Sequence, residues 1–141
     1  MLGRDDFAGA WVLQRTIKDR HLGQVGDFCG TAEMRARGDA GLSYTETGRV
    51  RFGDGPELTA TREYVWAFDA GGVAVAFADG APFHRFMPVD AGAGTDHSCG
   101  DDFYRVQYDF TAWPLWSAVW TVSGPRKDYT SVSRYSLALG R

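Results

Sequence analysis

The chain holds only two cysteines, Cys29 and Cys99, among 141 residues. That is too few for a disulfide framework, so both are expected as free thiols in a reducing compartment, with the cytoplasm as the expected location. No apolar run reaches the ~18–20 residues of a membrane-spanning helix. The start, Met1-Leu2-Gly3-Arg4-Asp5-Asp6, turns acidic at once and lacks the apolar core of a signal peptide. The net charge of −3 leaves no electrostatic footprint for nucleic acid or an anionic membrane, and neither is expected as a partner. Also missing are a Gly-x-Ser-x-Gly elbow, a phosphate-cradling loop and a dinucleotide fingerprint.

Glycine and aromatic residues are plentiful: 18 Gly, 5 Trp, 6 Tyr and 9 Phe. Glycines suit turns and aromatics suit strands, which together favour an all-β chain. The stretch Ala60 to Met87 is the most explicit. Arg62, Tyr64, Trp66 and Phe68 alternate with Thr61, Glu63, Val65 and Ala67, and Ala70-Gly71-Gly72 supplies a turn. Folding back pairs Phe68 with Val73, Trp66 with Val75 and Tyr64 with Phe77. Asp79-Gly80 reads as a two-residue hairpin that pairs Phe77 with Pro82 and Val75 with His84. Both turns place Tyr64, Trp66, Phe68, Val73, Val75, Phe77, His84 and Phe86 on one face, with Arg62 at its end.

The rest of the chain repeats the pattern. A first strand is predicted over Phe7 to Lys18, with Trp11, Leu13, Arg15 and Ile17 inward. A second over Asp27 to Arg35 turns Phe28, Gly30, Ala32 and Met34 inward. Leu42, Tyr44 and Glu46 follow on the inner side, then Gly48 and a short strand from Arg49 to Phe52. Val89 to Ser98 has no periodicity and is expected to be a loop. Tyr104, Val106, Tyr108 and Phe110 alternate with Arg105, Gln107 and Asp109. Trp113 to Trp120 fits a helical spacing as well as a strand. The strand from Trp116 to Ser123 is preferred, because a turn at Gly124 to Lys127 then pairs Val122 with Tyr129, Trp120 with Ser131 and Trp116 with Tyr135. One domain over residues 1–141 is expected, an antiparallel up-and-down meander barrel of about 8–10 strands without a long helix.

Gly9-x-Trp11 at the start of the first strand is similar to the Gly-x-Trp signature of lipocalins, and the chain resembles the calycins: the lipocalin, fatty-acid-binding and nitrobindin-like barrels. The resemblance implies that Trp11 plugs the closed end and that an arginine from the last part of the chain, Arg134 or Arg126, packs over it. The runs Trp120 to Tyr129 and Asp79-Gly80-x-Pro82-Phe83-His84 resemble a family of short bacterial proteins known only as a domain of unknown function. That family lends no activity.

A barrel of this size is wide enough to hold one small ligand. Among the aromatic side chains, the registers turn Arg15, Glu46, Arg62, Tyr64, Trp66, His84, Tyr104, Tyr108 and Trp120 inward as the candidate binding residues, with Ser131 and Ser133. Two arginines face one glutamate, and the second guanidinium needs a partner such as Asp79 or a ligand anion. The set is either an internal ion-pair network around Arg15 and Glu46 or a guanidinium–tyrosine clamp for a carboxylate or phosphate. His84 is either a hydrogen-bonded core residue, a ligand contact, an acid–base group or, by the nitrobindin resemblance, a ligand to haem iron. His97-x-Cys99-x-Asp101-Asp102 lacks the paired spacing of zinc sites, and no metal is expected. The expected function is binding of a small, largely apolar molecule with an acidic group. The rivals are a haem-dependent enzyme or small isomerase using His84, and a filled structural or chaperone-like module.

Overall fold

The computed structural model describes residues 1–138, and the last three positions of the expected domain lie outside the described residues. A four-residue helix, α1 (Arg4–Phe7), precedes eleven strands. These are β1 (Gly9–Asp19), β2 (Gln24–Arg37), β3 (Gly41–Phe52), β4 (Leu58–Asp69), β5 (Gly72–Phe77), β6 (Pro82–Phe86), β7 (Ala91–Ala93), β8 (His97–Cys99), β9 (Asp102–Ala112), β10 (Leu115–Ser123) and β11 (Asp128–Leu137). Each long strand pairs antiparallel with its sequence neighbour, and β1 pairs with β11, so the meander curls into an antiparallel, nearly closed, calycin-like barrel.

The period-2 pattern sets the register. Tyr64↔Phe77, Trp66↔Val75 and Phe68↔Val73 form as the alternation predicts. So do Val122↔Tyr129, Trp120↔Ser131 and Trp116↔Tyr135. The Trp113–Trp120 segment is therefore a strand from Leu115, as preferred, with a bulge between Leu115 and Ser117. Strands β2 and β3 approach each other where two glycines pair: a Cβ on Gly30 would lie 2.2 Å from the Thr47 carbonyl oxygen. Only glycine fits such a contact.

Three local expectations are corrected. Phe7 belongs to α1 and not to the first strand; its ring is fully buried. The expected loop Val89–Ser98 contains β7 and the start of β8, both paired with β9. Three-residue strands are too short to display an alternation, which is why the pattern misses them. Between them, Thr95 N–H donates to the Arg85 carbonyl at 2.8 Å and Arg85 N–H to Thr95 Oγ1 at 2.9 Å. This pair bridges the seam between β6 and the β9 side of the sheet.

The third correction is the β5–β6 hairpin. Gly80, at φ 91°, lets Gly80 N–H reach the Phe77 carbonyl at 2.9 Å, and Phe77 N–H donates to the Ala81 carbonyl at 2.9 Å. Phe77 therefore faces Ala81, the loop is one residue longer than expected, and Pro82 pairs with Ala76 instead of Phe77. The ladder recovers Val75↔His84 through a bulge, and Phe83 is the extra residue.

The core clusters at the end of the barrel capped by α1. Phe7 packs edge-on against Trp66, Phe110, Trp113 and Trp116, with centroids 5.0–5.8 Å apart. Trp11 closes that end against Trp113 and Trp116, and its indole N–H donates to the Phe7 carbonyl at 2.9 Å. Arg134 and Arg126 are both exposed, so neither takes the covering position the resemblance implied.

Candidate functional site: a small aromatic cavity with a cationic rim

At the opposite end, the barrel encloses a cavity of about 70 Å³. It is lined by eight of the nine candidate residues: Arg15, Glu46, Tyr64, Trp66, His84, Tyr104, Tyr108 and Trp120. That volume holds a few waters and is less than a drug-sized ligand needs.

One wall is an ion-pair network. Arg15 meets Glu46 in a two-pronged pair, Nη1 to Oε1 at 2.8 Å and Nη2 to Oε2 at 2.9 Å, and its Nε donates to Ser133 Oγ at 2.7 Å. The register explains how they meet. Arg15 pairs with Phe28 and Glu46 with Ala32, so the two side chains reach over β2 across small Gly30 and Ala32. Tyr44 donates to Glu46 Oε2 at 2.5 Å, and the Tyr44 and Tyr135 hydroxyls lie 2.7 Å apart. Burial alone would raise the Glu46 carboxyl, but the hydrogen bonds and charge of Arg15 outweigh it and hold the group below its ordinary value. Burial likewise opposes the Arg15 charge, and Glu46 overcomes it and raises the guanidinium. Burial raises Tyr44, Tyr108 and Tyr135, so all three remain hydroxyls.

The other wall centres on His84, 7% exposed. Its Nε2 lies 2.8 Å from the Tyr108 hydroxyl, and its ring meets Trp120 edge-on at 4.8 Å. Burial, aided by the charge of His97, pushes its pKa down to about 3, so the imidazole is neutral at ordinary pH. Two buried atoms of the lining have no hydrogen-bond partner among the described residues: His84 Nδ1 and Trp116 Nε1. Native structures seldom leave such groups unpaired.

Arg62 is corrected. It is not part of the lining: its side chain is 54% exposed and lies 3.9 Å from Glu46 Oε1 at the rim. Glu46↔Arg62 is a ladder pair as expected, but β4 emerges from the barrel there. Asp79 serves the hairpin turn, accepting from Ala81 N–H at 2.9 Å, and pairs with no arginine among the described residues. On the far side of the rim Lys127 donates to the Tyr104 hydroxyl at 3.1 Å and pairs with Asp102 at 3.2 Å. Cys29 and Cys99 are exposed free thiols. Among the described residues no three His, Cys, Asp or Glu side chains come together to hold a metal.

Phe83 was the main omission. Phe83 and His84 are consecutive yet both line the cavity, which a regular strand forbids and the bulge permits. Pro82, with no N–H to give the ladder, was the available clue. Tyr44, two residues before Glu46 on the same face, could have been read from spacing. A haem does not fit these residues: His84 Nε2 is already engaged by Tyr108, and the cavity is far smaller than a porphyrin.

Fold and cavity define a small antiparallel barrel with a polar-tipped aromatic interior. The chain belongs to the family described as "Family of unknown function (DUF6314)", whose pattern matches residues 7–137. No curated protein matches it. Among solved structures it is similar to an S-type phycobiliprotein lyase, CPES, from Guillardia theta, with 9% identity, 98% of this chain and 92% of that one covered, and a TM-score of 0.54. It is also similar to a redesigned β-barrel, mFAP1, bound to DFHBI (16% identity, 94% and 97% covered, TM-score 0.45). A fluorescence-activating β-barrel of de novo design matches with 13% identity, 96% and 100% coverage and a TM-score of 0.48. At these identities the lyase likeness establishes the fold alone.

Proposed function

We propose that the protein binds a small, largely apolar molecule that carries an acidic group. The observation that carries this reading is the pair of unpartnered buried atoms, His84 Nδ1 and Trp116 Nε1, on residues lining an otherwise aromatic cavity. A filled structural module gains nothing by leaving two such groups unpaired, at about 1–3 kcal/mol each. The acid belongs at the rim. Arg15 is neutralised by Glu46 and bonded to Ser133, whereas Arg62 has a neutral neighbour in the Tyr64 hydroxyl and a long contact to a carboxylate already bonded to Arg15.

Binding is favoured over acid–base catalysis. An imidazole lowered to about 3 is a weak base at neutral pH, far from the value that makes proton transfer efficient. The Glu46 carboxylate is tied up by Arg15 and Tyr44.

The test is native mass spectrometry of freshly expressed protein. A small organic molecule is expected to accompany the folded chain and to leave on denaturation. With the recovered acid, Arg62→Ala should bind about tenfold more weakly, or about 1.4 kcal/mol, with an unchanged melting temperature. Recovery of bare protein under all expression conditions would overturn the reading.

A further inference from the structure

One residue of the cavity's lining, Phe83, sits between neighbouring rings. The Phe83 ring stacks on Phe77 of β5, with centroids 4.5 Å apart and planes 22° apart. It stacks also on Trp120 of β10, at 5.0 Å and 12°, and lies near-parallel to Tyr64 of β4 at 5.7 Å. It meets His84 edge-on at 4.7 Å. An aromatic slot built from three strands is thus filled by a side chain that the meander did not need. Phe83 enters it only through the bulge.

Phe83 also lies on the strand at one end of the sheet order. It sits next to the hairpin loop, on the strand whose outer edge is bridged through Arg85 and Thr95 at the seam. The outer side of the same hairpin offers a second seat: a shallow depression of about 380 Å³ floored by Ala67, Ala74 and Ala76, with Phe83 at its edge. A bulged residue changes sides with less disturbance than a ladder residue, because no partner opposes it.

Resting on the reading above, we propose that Phe83 is the gate of the cavity and keeps the ligand's place. The ligand is a planar aromatic acid whose ring takes the Phe83 position against Phe77 and Trp120 while its anionic group meets Arg62. Planarity follows from the slot, since flat rings stack offset at these spacings and a puckered ring does not. The acid follows from position, since Tyr64 links the two ends: it packs on Phe83 and lies beside Arg62, which acts on its hydroxyl. Lys127 is the weaker candidate, because Asp102 already offsets it. Displacing the ring also supplies the volume that the closed cavity lacks.

Two probes of one carbon skeleton test this by calorimetry: 2-naphthoate, which is flat, and decahydro-2-naphthoate, which is not. The wild-type chain is expected to bind 2-naphthoate at least tenfold more tightly than the saturated acid. Phe83→Ala, shown folded by circular dichroism, is expected to tighten 2-naphthoate at least tenfold more, because no ring competes. Should the alanine variant fail to fold, Phe83→Leu removes the stacking with less loss of volume and is expected to tighten it at least threefold. Equal binding of the two acids overturns the planar class while leaving the small-molecule reading intact. Unchanged or weaker 2-naphthoate binding in the folded variant overturns the gate. Binding of neither acid, by any variant, overturns this inference, and mass spectrometry of the co-purified molecule judges the broader reading separately.

Discussion

Glu46 is 2% exposed and answers to Arg15, so the two charges exist inside the barrel only as a pair. Removing one leaves the other buried and unmatched, a loss of about 3–5 kcal/mol, whereas replacing both with apolar residues of similar volume is often neutral. Urea unfolding of Glu46→Ala should fall by that amount, and Arg15→Met combined with Glu46→Leu should recover most of it. His84 makes a second prediction. Below its ordinary value of 6.5 the unfolded chain takes up a proton that the folded chain refuses until about pH 3. Stability must therefore drop as pH falls through that window, by about 1.4 kcal/mol per pH unit from this group. Glu46, held low, adds its own loss from its ordinary value of 4.5 downward, within the lower part of the same window. His84→Gln should flatten the slope between pH 6 and 4 by about one proton's worth, read from urea midpoints. Equal slopes would mean that the imidazole is not held neutral.

At the level of the element, two kinds of glycine behave oppositely. A methyl on Gly30 would press on the Thr47 carbonyl at 2.2 Å, and one on Gly48 on the Cys29 carbonyl at 2.4 Å. Backbone cannot yield as a side-chain tip does, so Gly30→Ala is expected to cost about 3 kcal/mol. Gly92, in β7, has no atom within 4 Å of a Cβ and no left-handed φ. Gly92→Ala should be neutral or gain about 0.4–1 kcal/mol by restricting the unfolded chain. Thermal melts of the two variants check both. The β5–β6 hairpin illustrates another limit. Alternation around Asp79-Gly80 placed Val75 opposite His84 correctly, but a longer loop and a compensating bulge cancel between them. The single residue that records the exchange is Phe83, and it lines the cavity.

For the molecule as a whole, the seam matters most. Strands β1, β2, β3, β10 and β11 have ladder partners on both sides, while β6 is bridged on one edge only through Arg85 and Thr95. Local openings follow the least-bonded elements. Amide hydrogen exchange should therefore release β6, β7 and β8 first and β1, β2 and β11 last. Uniform protection around the barrel would show that the seam is as firm as the ladders. A bound aromatic acid should slow exchange in β6 above all, since it fills the slot beside it.

The sequence by itself determined the strand order, most registers and the inward faces, because alternation has a period of two and one slip would turn Trp66, Tyr108 and Trp120 to solvent. It brought Arg15 to Glu46 and placed His84 inside for the same reason. Only the tertiary structure decided how deep each inward residue lies: Arg62 and Glu46 face each other across a ladder, yet one is at the rim and the other sealed. It alone decided the plug made by Phe7 and the slot filled by Phe83. Each depends on one turn of helix or one extra residue, too short to leave a periodic trace, and takes its meaning from side chains distant in the chain.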